Sequence, residues 1–246
     1  MLLDHFGPLV LACVVALGAS TLGGLSGFGT GLILPAFLVP VVGVVNVVPV
    51  MAVAMLLNNG SRVVTFWRDV SWVHARRMLA LGLPACVAGA YCYTLLSAQW
   101  VALLLGLFLL ASVPLRRLLQ RSKLQFSARA ETGAGACFGF VNGGVTGAGV
   151  ILISILMSVG LAGSALVATD AVVSVIMGLA KVVLFGSLAS LDFDLAVIGL
   201  LVGACTAPGA VIARALLRRI PAGVHAWFME LVVVAGAVSL LWRALD

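Results

Sequence analysis

Long apolar stretches separated by short polar connections make up almost the whole chain. A helix that spans a bilayer needs about 20 mostly apolar residues, and six stretches reach this length without interruption. These stretches are residues 46–67, 78–97, 100–119, 164–188, 194–213 and 223–241. No connection between them is long enough to form a soluble domain. The pattern therefore predicts an all-α polytopic membrane protein.

Two further apolar stretches are interrupted by glycine. Residues 7–45 contain a glycine-rich run at 23–31, and residues 132–159 contain one at 142–149. Glycine inside a helix weakens it by roughly 0.5–1 kcal/mol relative to alanine. We therefore expect each stretch to form a hairpin of two short helices joined at the break, which with the six spans gives ten helical segments.

The two broken stretches begin an internal repeat. A shift of 118 residues places Gly29 on Gly147, and a shift of 119 places residues 62–66 (RVVTF) on residues 181–185 (KVVLF). Matches of this kind occur in the same order in both parts of the chain. They predict two structural repeats with a boundary at residue 125.

The composition excludes a soluble protein. The chain is 63% hydrophobic and 9% charged, with a mean hydropathy of +1.25, whereas soluble domains carry about 25% charged residues. The net charge is +6, but a nucleic-acid-binding protein needs clustered cations on a soluble face. We therefore expect the lipid bilayer as a partner and no nucleic acid.

The cations orient the predicted spans. Three connections contain 11 of the 14 basic residues. These residues are Arg68, Arg76 and Arg77; Arg116, Arg117, Arg121, Lys123 and Arg129; and Arg214, Arg218 and Arg219. Basic connections lie in the cytoplasm of most membrane proteins. This placement makes each glycine-broken hairpin leave and return on one side and puts both termini outside.

With this topology the halves 1–125 and 126–246 have opposite orientations. Each half consists of one glycine-broken hairpin and three transmembrane helices. Inverted repeats are common in secondary transporters, whose substrate site lies near the membrane midplane where the repeats meet. The sequence therefore predicts a secondary transporter, and whether it forms a homo-oligomer stays open.

The glycine breaks and their setting resemble the TauE/SafE family of sulfite and organosulfonate exporters. The resemblance is carried by residues 24–35 (GLSGFGTGLILP) and 139–149 (GFVNGGVTGAG), and it covers nearly the whole chain. One departure is Thr30, which interrupts the fuller glycine run common in the family. The resemblance implies an integral protein of the bacterial cytoplasmic (inner) membrane. It would carry sulfite, sulfonates or related small sulfur-containing anions, usually outward.

Two cations lie inside predicted spans, at equivalent positions of the repeat. A charge at the centre of a membrane helix costs about 2.5–3.5 kcal/mol, so it persists where it faces a partner, a cavity or an anion. Snorkelling is the alternative, since Arg62 is close in sequence to Trp67. Because Arg62 and Lys181 approach the midplane from opposite sides, we expect them to bind the anion.

The glycine breaks predict further ligands for an oxyanion. A helix that begins within the membrane points backbone N–H groups inward, and nearby hydroxyl and amide side chains add donors. The expected substrate-binding residues, besides the two cations, are Asn58, Asn59, Ser26, Gly27, Gly29, Thr30, Gly31, Asn142, Gly144, Thr146 and Gly147. Helix packing is the alternative for such glycines, since small residues that recur every four positions are typical of contacts between membrane helices.

Two acids, Asp170 and Glu230, lie within apolar spans. Either could neutralise a cation when no substrate is bound, or carry a coupling proton; a purely structural ion pair is the alternative. The sequence contains no nucleotide-binding motif and no close spacing of metal ligands. We therefore expect no cofactor or metal, and transport driven by an ion gradient or by the gradient of the substrate.

Three other classes of function stay open. An anion channel would show ion current without exchange. An intramembrane serine protease is suggested by residues 24–27 (GLSG), with Ser26 as nucleophile, but it needs a histidine base within reach. We expect His5, His74 and His225 at a terminus, in a loop and at a helix start, so the sequence favours a protein that is not an enzyme. A scaffold protein would not explain the paired cations.

Overall fold

The computed structural model describes residues 6–23, 29–121, 126–216 and 233–242, which form ten α-helices and no strand. The helices are α1 (Phe6–Gly23), α2 (Gly29–Val42), α3 (Val47–Phe66), α4 (Trp72–Thr94), α5 (Ala98–Arg121), α6 (Ala128–Gly144), α7 (Gly149–Ser158), α8 (Gly163–Ser187), α9 (Phe193–Leu216) and α10 (Val233–Trp242). Single 3-10 turns at Val44–Asn46 and Trp67–Asp69 flank α3. The predicted all-α class and number of segments are confirmed.

Three stretches of the described residues are long and apolar enough to cross a membrane by length and composition. They are Val44–Asp69, Ala98–Leu115 and Gly163–Ser187. The second glycine break is a non-helical linker at residues 145–148, between α6 and α7. The first separates α1 from α2, and residues 24–28 lie outside the described chain.

Helix α4 begins at Trp72 rather than near residue 78, which corrects the predicted boundary. Arg76 and Arg77 therefore lie in its first turns and not in a loop, and so does His74. Arginine is a strong helix former, and its long side chain reaches polar surroundings from within a helix. The charged residues therefore did not mark the end of the helix.

The described helices are interleaved between the two parts of the chain. Helix α4 packs along α6, and α1 packs along α9, so the first helix of each predicted half contacts the fourth helix of the other. Helices α3 and α8 pack against each other, and they also contact α9 and α4 respectively. Each predicted half therefore completes the packing of the other.

Glycine permits the close contact between α4 and α6. A Cβ atom on Gly139 would overlap the carbonyl oxygen of Gly82, and one on Gly143 would overlap that of Cys86. One turn earlier, a Cβ atom on Gly135 would lie 2.7 Å from the carbonyl oxygen of Met78. Glycine at these three positions of α6 is therefore required for the packing of α6 on α4.

A buried acid joins the beginnings of α4 and α6. Glu131 is fully buried in the first turn of α6. Its Oε1 lies 2.6 Å from His74 Nδ1, and its Oε2 accepts a hydrogen bond from Arg77 Nη1 at 3.2 Å. Only the packing of α4 on α6 brings these residues together, so no local pattern in the sequence indicates Glu131.

Large apolar side chains on the outer surface are exposed. Val64 is 83% exposed, Val183 is 70% exposed and Phe193 is 82% exposed. Burying such side chains in lipid is favourable, whereas exposing a continuous apolar belt to water is not. This surface is typical of helices that face a bilayer.

Candidate functional site

A cavity of about 70 Å³ lies between α3, α8 and the two glycine breaks. A water molecule occupies about 30 Å³ in the liquid, so the cavity has room for about two water molecules or a small anion. Its lining consists of Thr30, Gly31, Met51, Ala52, Met55, Asn58, Asn59, Asn142, Thr146, Gly147, Ala148, Gly149, Asp170, Ser174, Gly178 and Lys181. Residues from both predicted halves therefore form one site.

Most of the site residues expected from the sequence meet at this cavity. Those that line it are Asn58, Asn59, Thr30, Gly31, Asn142, Thr146, Gly147, Lys181 and Asp170. Among the described residues, Arg62, Gly29 and Gly144 do not belong to the lining. The remaining expected residues, Ser26, Gly27 and Glu230, lie outside the described chain.

The walls formed by α3 and α8 contain residues at equivalent positions of the two predicted halves. Three residues of each helix, spaced by four, line the cavity and form pairs that are 119 residues apart. The pairs are Met51 and Asp170, Met55 and Ser174, and Asn59 and Gly178. Neither methionine nor Ser174 was singled out from the sequence, although applying the shift of 119 to Asn59 and Asp170 would have indicated this face.

Lys181 binds the end of the broken helix α6. Its Nζ donates a hydrogen bond to the carbonyl oxygen of Asn142 at 3.0 Å, and the residue is 8% exposed. The last carbonyl groups of a helix have no partner within the helix and form the negative end of its dipole. The glycine break therefore creates the acceptor that holds the buried ammonium at the cavity.

The side-chain amide of Asn142 has only weak acceptors. Its Nδ2 lies 3.8 Å from Cys86 Sγ and 3.7 Å from Met177 Sδ. Thiol and thioether sulfur atoms accept hydrogen bonds weakly. An anionic oxygen in the cavity would therefore compete well for this donor.

Arg62 is paired with Asp170, its neighbour on α8. Its Nη1 donates a hydrogen bond to Asp170 Oδ2 at 3.4 Å, and the two side chains are 12% and 4% exposed. Pairing with an acid within the membrane was one of the roles considered for Asp170, and the structure contains that pair. Arg62 thus stands beside the cavity rather than in its lining.

Two polar oxygens of the lining are buried without a hydrogen-bond partner. They are Asp170 Oδ1 and Thr146 Oγ1. An unsatisfied buried oxygen is costly, by about 1–3 kcal/mol. Their position in the lining identifies the cavity as a polar site that favours occupation by water or a polar solute.

Comparison with known proteins agrees with the resemblance found in the sequence. The profile of the family described as sulfite exporter TauE/SafE matches residues 12–240. No curated protein and no solved structure matches the chain. The family consists of transporters and not of enzymes. The chain therefore belongs to the TauE/SafE sulfite exporter family and is an integral membrane protein.

Proposed function

We propose that this protein is a secondary transporter that exports a small sulfur-containing anion, sulfite or a sulfonate, across the bacterial inner membrane. Family membership supports the class of protein and of substrate. The observation that carries the proposal is the polar cavity at which the buried ammonium of Lys181 meets both glycine breaks. The anion would bind there, between the two halves and near the midplane.

The donors around the cavity suit an oxyanion. Lys181 supplies positive charge, and the amides of Asn58 and Asn59 supply neutral donors. Gly149, the first residue of α7, also lines the cavity. The first N–H groups of a helix have no partner within it and favour an anion. Arg62 adds positive potential from beside the cavity.

The packing of the helices supports transport by alternating movement of two inverted halves. The interchanged contacts, α1 with α9 and α4 with α6, are those expected of two repeats related by a twofold axis. Equivalent residues of α3 and α8 also line the cavity. Rocking one half against the other would expose the bound anion to each side in turn.

Coupling to a proton gradient is part of the proposal. Asp170 and Glu230 are the candidate carriers, and Asp170 lies at the cavity next to Arg62. A carboxylate that exchanges an arginine partner for a proton changes the charge of the site. Proton binding would therefore be linked to binding of the anion.

Counterflow of labelled sulfite into proteoliposomes tests the proposal. Vesicles loaded with unlabelled sulfite should accumulate labelled sulfite transiently and saturably, because a carrier exchanges bound substrate across the membrane. Empty vesicles, and vesicles loaded with chloride, are the controls. Ion current without counterflow would show an anion channel and contradict the proposed carrier.

A further inference from the structure

The two halves place different residues at one pair of equivalent positions in the cavity. Arg62 and Lys181 are 119 residues apart, and the same shift places Asp170 of the second half on Met51 of the first. Both Asp170 and Met51 line the cavity. Both predicted halves therefore have a cation at positions 62 and 181, but only the second half has an acid at the other pair of positions, 51 and 170.

The contacts between α3 and α8 show where Met51 lies relative to Lys181. Arg62 contacts Asp170, whereas the carbonyl oxygen of Ala52 lies 3.9 Å from the Cβ position of Gly178. Higher numbers on α3 thus meet lower numbers on α8, so the two helices run antiparallel. Met51 therefore lies near the turn of α8 that contains Lys181. Its position relative to Lys181 corresponds to that of Asp170 relative to Arg62.

The two ends of the cavity consequently differ in charge. At one end Asp170 compensates Arg62, and its Oδ1 remains buried without a hydrogen-bond partner. At the other end Lys181 donates to a neutral carbonyl oxygen, and no carboxylate among the described residues forms a salt bridge with it. Along α8 the ends are separated by about 16 Å, because an α-helix rises about 1.5 Å per residue.

We propose that the cavity binds one anion at a time, at its Lys181 end, and that the presence of Met51 rather than an acid beside Lys181 determines this choice. An anion at the Arg62 end would have to displace the Asp170 carboxylate from Arg62. It would also lie beside the buried Oδ1 of Asp170, which would repel it. An anion at the Lys181 end meets a cation whose partner is only a carbonyl group. The inference rests on the proposed function and specifies the position and number of the bound anions.

The first test introduces an acid at position 51, near Lys181. Binding of labelled sulfite to the purified full chain in detergent is measured by equilibrium dialysis for Met51→Asp and for its uncharged isostere Met51→Asn. We expect Met51→Asp to weaken sulfite binding at least about tenfold relative to Met51→Asn, because a hydrogen bond to a charged group contributes about 1.5–3 kcal/mol. Equal affinities for the two variants would overturn the inference.

The second test removes the acid from the Arg62 end and does not depend on the folding of a Met51 variant. We expect the wild-type protein to bind one sulfite per chain, and Asp170→Asn to bind it with an affinity within about tenfold of the wild type, because an anion at the Lys181 end lies about 16 Å from Asp170. Asp194→Asn is the matched control, since Asp194 is an exposed acid outside the cavity. A much larger gain of affinity in Asp170→Asn, which would place the anion beside Arg62, or two sulfites per wild-type chain, would contradict the inference.

The outcomes separate this inference from the proposed function. Saturable counterflow together with two wild-type anion sites would overturn the inference and leave the carrier intact. The absence of both counterflow and saturable sulfite binding in the wild-type protein would refute the proposed function, and the inference with it. Elution from size-exclusion chromatography as a single species confirms that each variant is folded.

Discussion

Gly31 and Gly147, one from each glycine break, lie backbone against backbone at the wall of the cavity. A Cβ atom on Gly31 would lie 3.0 Å from the Cα of Gly147, and one on Gly147 would lie 3.0 Å from the carbonyl oxygen of Gly31. Gly147 also has a φ of 82°, in the region that favours glycine. The breaks thus serve two purposes, since they end helices at the cavity and allow the two predicted halves to meet there.

Alanine at position 147 should destabilise the protein through this contact. Gly160 also has a positive φ, of 89°, but a Cβ atom there would meet nothing within 4 Å. Both Gly→Ala variants incur the left-handed backbone strain, roughly 1–2 kcal/mol, so their difference isolates the contacts of the added methyl group with the Leu32 side chain and the Gly31 backbone. We expect Gly147→Ala to lower the free energy of unfolding by about 1–3 kcal/mol more than Gly160→Ala, as typical of overpacking.

Thermal unfolding of both variants in the same detergent checks this difference. Equal losses of stability in Gly147→Ala and Gly160→Ala would show that Leu32 and the Gly31 backbone move aside at no cost. In that case the close approach of the two breaks would not contribute to stability.

Replacement of Lys181 by methionine should weaken anion binding. The substitution keeps most of the side-chain volume but removes the charge and the hydrogen bond to Asn142. We expect the half-saturating sulfite concentration for counterflow to rise by roughly 10-fold to 100-fold, given about 1.5–3 kcal/mol for a charge-assisted hydrogen bond. Arg76→Met is the control, because Arg76 is an exposed cation outside the cavity; similar kinetics in both variants would remove Lys181 from the site.

The ion pair between Arg62 and Asp170 should give a measurable coupling energy. Removing one partner of a buried pair leaves an uncompensated charge and costs roughly 3–5 kcal/mol. We expect Arg62→Met and Asp170→Asn each to lower the midpoint of thermal unfolding, and the double variant to recover part of the loss. The coupling energy from this cycle should be about 0.5–3 kcal/mol, whereas purely additive losses would show that the pair is not formed in detergent.

The glycines of α6 should differ sharply in their tolerance of alanine. A methyl group on Gly139 would overlap the carbonyl of Gly82, whereas one on Gly133, in the same helix, would meet nothing within 4 Å. Gly139→Ala should therefore destabilise the protein by about 1–3 kcal/mol, and Gly133→Ala should stabilise it by about 0.5 kcal/mol through helix propensity. Unfolding of the two variants in detergent compares them, and similar stabilities would contradict tight packing of α4 on α6.

The membrane topology can be tested from both sides. A periplasm-sensitive reporter fused after Asp246 should be active, because the positive-inside rule places the C-terminus outside. The same reporter inserted after Lys123 should be inactive, since that connection is predicted to be cytoplasmic. A cytoplasmic C-terminus would contradict the opposite orientation of the two halves.

Hydropathy and the internal repeat predicted much of the candidate site as well as the helices. The repeat singled out Lys181, and the glycine breaks singled out Thr146 and Gly147, all of which line the cavity. Met51 was not predicted, because an apolar residue in an apolar span carries no local signal of a special role. Glu131 was not predicted either, because its partners His74 and Arg77 lie more than 50 residues away along the chain.

The sequence by itself determined the class of protein, the helical segments and the positions of the breaks. These features depend on the transfer free energy and backbone freedom of each residue, which are local properties. Only the tertiary structure decided which charges meet. The antiparallel contact of α3 with α8 places Asp170 beside Arg62, whereas the carbonyl end of α6 lies beside Lys181. Two cations at equivalent positions of the predicted repeat therefore have different partners. Coulomb energies depend on distances between helices that are far apart in the chain, and packing sets those distances.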